Sequence, residues 1–143
     1  MTEYRWEHVG LAVRDLDRAA AWYCRAFALT RTFAFRVDGA RLAGVILESE
    51  EGWRIELLSR VGSTPGLRAG SPIEAALTEG YGHIALRVAD LDAAYRSLTY
   101  HGARIVVPPG PSPEGGIRMG WVSDPDGNLI ELIEKPLPDK ESR

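Results

Sequence analysis

Cysteine and histidine are scarce in this chain of 143 residues, and acidic residues outnumber basic ones. The single cysteine cannot form a disulfide within the chain, which is typical of the reducing cytoplasm, where we expect the protein. The formal net charge of −3 predicts no surface for nucleic acid. No apolar run reaches the roughly 18 residues of a membrane span, and no basic segment precedes an apolar one near the N-terminus, so we expect neither a membrane helix nor a signal peptide.

Two of the three histidines occupy the same sequence setting. His8 begins the run HVGLAV and His83 begins HIALRV, and each run is followed by Asp-Leu-Asp, which starts at Asp15 and at Asp90. The offsets agree, since 83 − 8 = 75 and 90 − 15 = 75. A fixed offset between two separate landmarks indicates an internal repeat.

The repeat extends to a pair of glutamates. Glu56 lies in IELL and Glu131 in IELI, again 75 residues apart. Each histidine therefore precedes its glutamate by the same distance, because 56 − 8 = 48 and 131 − 83 = 48. A His and a Glu at matched places in both copies, each in an apolar context, point to one duplicated site.

Both copies have the pattern of a βαβββ unit. A short alternating run, an amphipathic segment that begins after an N-capping aspartate, and three further extended segments follow one another in each copy. The fold class predicted is α+β, with two tandem βαβββ modules forming an incomplete, barrel-like, metal-lined cavity. The predicted parts of this single domain are module one over 6–59, a linker with a short helix at about 72–78 over 60–80, module two over 81–135, and a frayed tail over 136–143.

The four repeated residues make a candidate metal site. Strand alternation places His8, Glu56, His83 and Glu131 on the faces opposite those of the large apolar residues. Carboxylates buried without partners are costly, and a divalent cation that meets two imidazoles and two carboxylates removes that cost. Such a set suits Ni, Co, Zn, Mn or Fe, one ion per site. The structural alternative is two independent His–Glu pairs or polar groups at strand ends.

The motifs GHIALRV and DPDGNLIELIEK resemble glyoxalase I (lactoylglutathione lyase), and the βαβββ repeat resembles the vicinal oxygen chelate superfamily over about 6–135. The resemblance implies that His8, Glu56, His83 and Glu131 are the ligands. It also implies paired sheets and a homodimer, with a site formed either within one chain or between the two chains. The linker is in addition similar to methylmalonyl-CoA epimerase, a family that usually has Gln where Glu56 stands.

Four further residues are candidate substrate contacts. Glyoxalase I usually has an arginine for a glutathione carboxylate four residues after the first ligand histidine, and this chain has Ala12 there. Arg87 occupies the repeat-equivalent place, since 87 − 75 = 12, and is either an anion ligand or a solvated rim residue. The other candidates are Arg54, Trp121 and Phe35. For the two aromatic residues, packing in the core is the alternative.

The function predicted is that of a metal-dependent lyase or isomerase of glyoxalase type, acting on a small oxygenated molecule. The cation would stabilise an enediolate, and either Glu131 or Glu56 would remove the proton α to the carbonyl. One alternative is an extradiol-type dioxygenase, which uses two histidines and one carboxylate on iron. Another is a drug-binding resistance protein of the same superfamily, which would bind without turnover.

Overall fold

The computed structural model describes residues 2–137, so most of the predicted frayed tail lies outside the described residues. The chain divides into two compact units, Met1–Thr64 and Pro65–Arg143. Each unit contains one βαβββ module with an open four-stranded sheet, which confirms the predicted α+β class with two tandem βαβββ modules. None of the helices within residues 2–137 combines the length and the hydropathy that crossing a bilayer requires.

The sheet of the first unit has the strand order β1-β4-β3-β2, in which β1 and β4 are parallel and the other pairs are antiparallel. Helix α1 packs on β3 and β4. Its first turn is capped by Asp15, whose side chain accepts a hydrogen bond from the backbone N–H of Arg18, as the sequence pattern predicted. The elements are β1 Val9–Ala12, α1 Leu16–Phe27, β2 Thr30–Val37, β3 Leu42–Glu48 and β4 Arg54–Arg60.

The second unit repeats this arrangement with the order β5-β8-β7-β6, again with one parallel pair, β5 and β8. Asp90 caps α3 as Asp15 caps α1, and Gly102 follows α3 with a φ of 91°, a value that favours glycine. The elements are α2 Pro72–Ala75, β5 His83–Val88, α3 Leu91–Tyr100, β6 Arg104–Pro111, β7 Arg118–Ser123 and β8 Leu129–Glu134.

Alternation decides which strand face carries the core. Ile55 and Leu57 of β4 are 1% and 0% exposed, while Glu56 between them keeps part of its surface. Ile130 and Leu132 of β8 are likewise buried on either side of Glu131. The large apolar residues therefore face the helix in each unit, and the glutamates face away from it.

Several element boundaries differ from the sequence-based expectation, most of them by one residue. The linker helix ends at Ala75 rather than near 78, although turn hydrogen bonds continue to Thr78. Strand β1 begins one residue after His8. Strand β6 runs to Pro111 instead of ending near 107, because register shifts at Val107 carry the strand past two prolines that cannot donate ladder hydrogen bonds.

Candidate metal centre

The first unit brings His8 and Glu56 together. His8 directly precedes β1, and Glu56 lies on β4 opposite Gly10 in the parallel ladder. The Nε2 atom of His8 lies 3.8 Å from Oε1 of Glu56, and the two side chains are 33% and 21% exposed. The imidazole and the carboxylate thus face each other at a half-buried position.

Three further charged residues lie around this pair. The Nδ1 atom of His8 contacts a carboxylate oxygen of Glu7, and the other oxygen of Glu7 contacts Arg54. On its other side, Nε of Arg54 lies 3.5 Å from Oε2 of Glu48. The positive charge of Arg54, a candidate anion ligand in the sequence, is therefore already balanced by two carboxylates.

The second unit repeats the pair in the same register. His83 is the first residue of β5, and Glu131 of β8 lies opposite Ala85, as Glu56 lies opposite Gly10. Nε2 of His83 lies 3.5 Å from Oε2 of Glu131, and the two side chains are 42% and 17% exposed. The two pairs are therefore equivalent in structure as well as in sequence.

Trp121 borders the second pair. Its ring meets the imidazole of His83 edge-on, with centroids 4.6 Å apart and planes at 72°. Trp121 is the register partner of Glu131, so their side chains share one face of the sheet. It is only 6% exposed and packs with Ala75 and Leu129. The tryptophan is thus both a core residue and one wall of this site.

The separations within both pairs are longer than a direct hydrogen bond. The distances of 3.8 Å and 3.5 Å exceed the usual 2.7–3.2 Å of an N–H···O hydrogen bond. Nitrogen and oxygen donors about 2.1 Å from one ion at roughly tetrahedral angles stand about 3.4 Å apart. The 3.5 Å separation of the second pair is close to this value, and the 3.8 Å separation of the first pair is longer. Among residues 2–137, no group of three or more His, Cys, Asp or Glu side chains able to hold a metal is formed.

The remaining substrate candidates occupy different surroundings. Phe35 is half-buried, stacks on Phe33 with centroids 5.9 Å apart, and covers Gly44, where a Cβ would come within 2.3 Å of the ring. Gly44 thus makes room for the aromatic ring on the glutamate face of the sheet. Arg87 is exposed, and its Nη1 donates a 3.4 Å hydrogen bond to the carbonyl of Pro136. Within residues 2–137, no hydrogen bond, ion pair or ring contact links either residue to a His–Glu pair.

Glu7 is the site residue that sequence reasoning missed. Its repeat counterpart, at 7 + 75 = 82, is Gly82, so the comparison of the two copies gives no signal for it. Its position next to His8 was the only clue. Because β1 starts at Val9, strand alternation does not govern these two residues, and neighbours in sequence can contact each other.

Comparisons with known proteins agree with this architecture. The family described as the Glyoxalase/Bleomycin resistance protein/Dioxygenase superfamily matches residues 5–132. A probable lactoylglutathione lyase from Vibrio parahaemolyticus is 32% identical over 137 residues, covering 94% of this chain and 93% of that protein. A lactoylglutathione lyase from Salmonella typhimurium is 28% identical over 138 residues, covering 89% of this chain and 90% of that protein.

Solved structures share the fold. Glyoxalase I from Zea mays superposes with a TM-score of 0.74 at 24% identity, covering 93% of this chain and 45% of the maize chain. A glyoxylase/bleomycin resistance protein/dioxygenase domain from Frankia has a TM-score of 0.74 at 22% identity, covering 94% of this chain and all of that domain, 100%. With the family match over most of its length, the chain belongs to the glyoxalase/bleomycin resistance protein/dioxygenase superfamily.

Proposed function

We propose that this protein is a divalent-metal-dependent lyase or isomerase of glyoxalase type, which removes a proton α to the carbonyl of a small oxygenated substrate. The observation that carries the proposal is the repeated His–Glu pair, with the same register and nearly the same N–O distance in each unit. A duplicated pair of this kind supplies two imidazole nitrogens and two carboxylate groups.

In this proposal His8, Glu56, His83 and Glu131 are ligands of one cation per site, each site using one copy of each module. The family resemblance implies a homodimer, so the two modules that form one site belong either to one chain or to two different chains. The donor set suits Ni, Co, Zn, Mn or Fe. When bound, the cation would act as a Lewis acid that polarises the substrate carbonyl.

The carboxylates supply the proton chemistry. Glu131 and Glu56 are 17% and 21% exposed, so each carboxylate is partly shielded from bulk water. The small residues Gly10 and Ala85 opposite them leave space beside each carboxylate. We propose that one of the two glutamates, when it does not hold the cation, takes the proton α to the carbonyl onto a carboxylate oxygen, while Trp121 excludes water on the side of His83.

The substrate is proposed to differ from that of typical glyoxalase I. The curated relatives are named lactoylglutathione lyase, but this chain has Ala12 where the family's glutathione-binding arginine is expected. A lost charge-assisted contact costs about 1.5–3 kcal/mol, or roughly ten- to a hundred-fold in binding. We therefore propose weak turnover of the glutathione hemithioacetal of methylglyoxal and better turnover of another small carbonyl compound.

Metal stoichiometry tests the ligand set. The purified protein is chelated, reloaded and assayed for bound metal, alongside His8→Ala, Glu56→Gln, His83→Ala and Glu131→Gln. All four variants should lose metal, because the two pairs contribute equally. His101→Ala, which removes the third histidine, should retain it. Unchanged stoichiometry in His83→Ala and Glu131→Gln would rule out the shared site.

Isotope exchange tests the chemistry. The metal-loaded protein is incubated in heavy water with hemithioacetals, 2-oxo thioesters and 2-hydroxy ketones, and exchange α to the carbonyl is followed. Exchange that Glu131→Gln and Glu56→Gln abolish, and that His101→Ala retains, would support the proposal. Oxygen uptake with catechols by the iron-loaded protein would favour a dioxygenase instead. Stoichiometric antibiotic binding without turnover would favour a resistance protein.

A further inference from the structure

The first unit contains a pocket of about 570 Å³ that is lined by four arginines and one aspartate. It lies where strands β1 and β4 end, whereas His8 precedes the start of β1 and Glu56 is near the start of β4. From Glu56 to the last residue of β4 the chain advances four residues, or about 13 Å in an extended strand. The pocket is therefore separate from the His–Glu pair. The charged residues are Arg14, Arg36, Asp38, Arg41 and Arg60.

Sheet register gathers these residues from distant parts of the sequence. Arg36 at the end of β2 is opposite Ala43, which is opposite Ser59 of β4. Ser59 Oγ in turn donates a 3.2 Å hydrogen bond to the backbone carbonyl of Arg14, beyond the end of β1. The backbone N–H of Val61 donates to the carbonyl of Arg41 at 3.2 Å. Backbone contacts thus fix the positions from which the arginine side chains extend.

The charge in this pocket is largely uncompensated. Four arginines and one aspartate sum to 4 − 1 = +3 in a chain whose formal net charge is −3. Nε of Arg36 lies 3.9 Å from Oδ1 of Asp38, whose side chain is 95% exposed, so that ion pair is weak. Within residues 2–137, Arg14 and Arg41 form no ion pair, and Arg60 donates only to the carbonyl of Ala40 at 3.2 Å.

We propose that this pocket binds the phosphate or diphosphate group of a small molecule. Guanidinium groups match phosphate oxygens in a fixed, bidentate geometry. The volume lies within the range of small-molecule sites and leaves room for an organic part, which Leu42 and Val61 can contact. A nucleic acid fits less well, because the positive charge is confined to one pocket and the chain as a whole is acidic.

The pocket also sets the first unit apart from the second. At the offset of 75, the four arginines correspond to Ala89, Pro111, Gly116 and Lys135. Lys135 is paired with Glu114 at 2.9 Å. The His–Glu pair is thus common to both units, whereas the arginine cluster occurs only in the first. This difference indicates that the pocket has a role that does not depend on the duplicated pair.

Calorimetric titration of the full-length protein with inorganic pyrophosphate tests the proposal. We expect one pyrophosphate per chain, competed by ADP. Arg14→Gln and Arg36→Gln should each weaken binding at least about ten-fold, since each removes a charge-assisted contact. Arg25→Gln, which removes an exposed arginine of α1 outside the pocket, is the matched control and should bind normally. Glu131→Gln should also bind normally, which excludes chelation at the candidate metal centre.

Three results would overturn the proposal. One is the absence of binding at millimolar pyrophosphate. Another is equal weakening by Arg25→Gln and by Arg14→Gln, which would show attraction to net charge only. The third is much tighter binding of a single-stranded oligonucleotide than of pyrophosphate at the same ionic strength, which would point to a polymer. Thermal melting without ligand shows that each variant is folded before its affinity is compared.

Discussion

Replacing Glu7 by Gln would test how the imidazole of His8 is held for metal binding. The carboxylate of Glu7 contacts Nδ1 of His8, and Nε2 of the same ring faces Glu56 at 3.8 Å. A carboxylate on one ring nitrogen keeps the proton there and directs the lone pair of the other nitrogen toward the ion. Glutamine can accept the same hydrogen bond but lacks the charge.

The structure sets the size of the expected effect. Removing such a supporting partner typically costs 10- to 100-fold in metal affinity. Glu7 is 57% exposed and also contacts Arg54, so water and the positive charge of Arg54 already weaken its interaction with the imidazole. We therefore expect the lower end, about ten-fold in affinity, or about 1.4 kcal/mol.

Competition with a chromophoric chelator measures this difference. Glu3→Gln is the matched control, because Glu3 is 81% exposed and pairs with Arg5 at 3.3 Å, away from His8. The reasoning assumes the proposed ligand set, so His8→Ala is measured in the same series. If His8→Ala abolished binding while Glu7→Gln matched Glu3→Gln, the imidazole would be a ligand that Glu7 does not orient.

The remaining predictions concern stability and substrate choice. Burial raises the pKa of Tyr95 above its ordinary value of 10.0 and outweighs the lowering effect of the hydrogen bond that its hydroxyl donates to a backbone carbonyl. The folded protein therefore holds this proton more tightly than the unfolded chain does, so the free energy of unfolding should fall as pH rises past about 10. Urea unfolding should show that this fall is smaller in Tyr95→Phe, which itself costs about 1–2 kcal/mol at neutral pH. A Cβ on Gly120 would lie 1.9 Å from the Tyr95 hydroxyl, so Gly120→Ala should cost about 1–3 kcal/mol in the same assay, and Gly115→Ala, with nothing within 4 Å, should cost little. Ala12→Arg should raise turnover of the glutathione hemithioacetal by about ten-fold or more, and no change would show that another residue binds the glutathione carboxylate.

The duplicated parts of the molecule were those best predicted from sequence. The repeat predicted each His–Glu pair, because a strand's period of two fixes which face a residue occupies once its buried neighbours are known. Ile55 and Leu57 defined the face of Glu56 in this way, and the structure places all three accordingly. Helix starts at Asp15 and Asp90 were equally predictable, because capping depends on residues three positions away.

Features that depend on long-range register were not predictable. The arginine pocket joins residues 14, 36, 41 and 60, which only the pairing of four strands and their turns brings together. The extension of β6 past Pro108 and Pro109 depends on bulges that no local pattern signals. The pairing of Arg54 with Glu7 and Glu48 likewise depends on side-chain directions at the ends of three different segments.

Arg41 allows one more prediction, which separates stability from binding. Its φ is 52°, a left-handed conformation that costs a residue with a Cβ about 1–2 kcal/mol, and its repeat counterpart is Gly116 at 82°. Glycine would relieve that cost but lose more chain entropy on folding, so Arg41→Gly should stabilise the fold by up to about 1 kcal/mol. The same substitution should weaken pyrophosphate binding about ten-fold, because it removes one of the four guanidinium groups. Ala28→Gly, at the same φ of 52°, should give a comparable stability change with no loss of affinity. If both variants kept full affinity, the Arg41 side chain would have no part in the pocket, and its left-handed backbone would be a property of the turn alone.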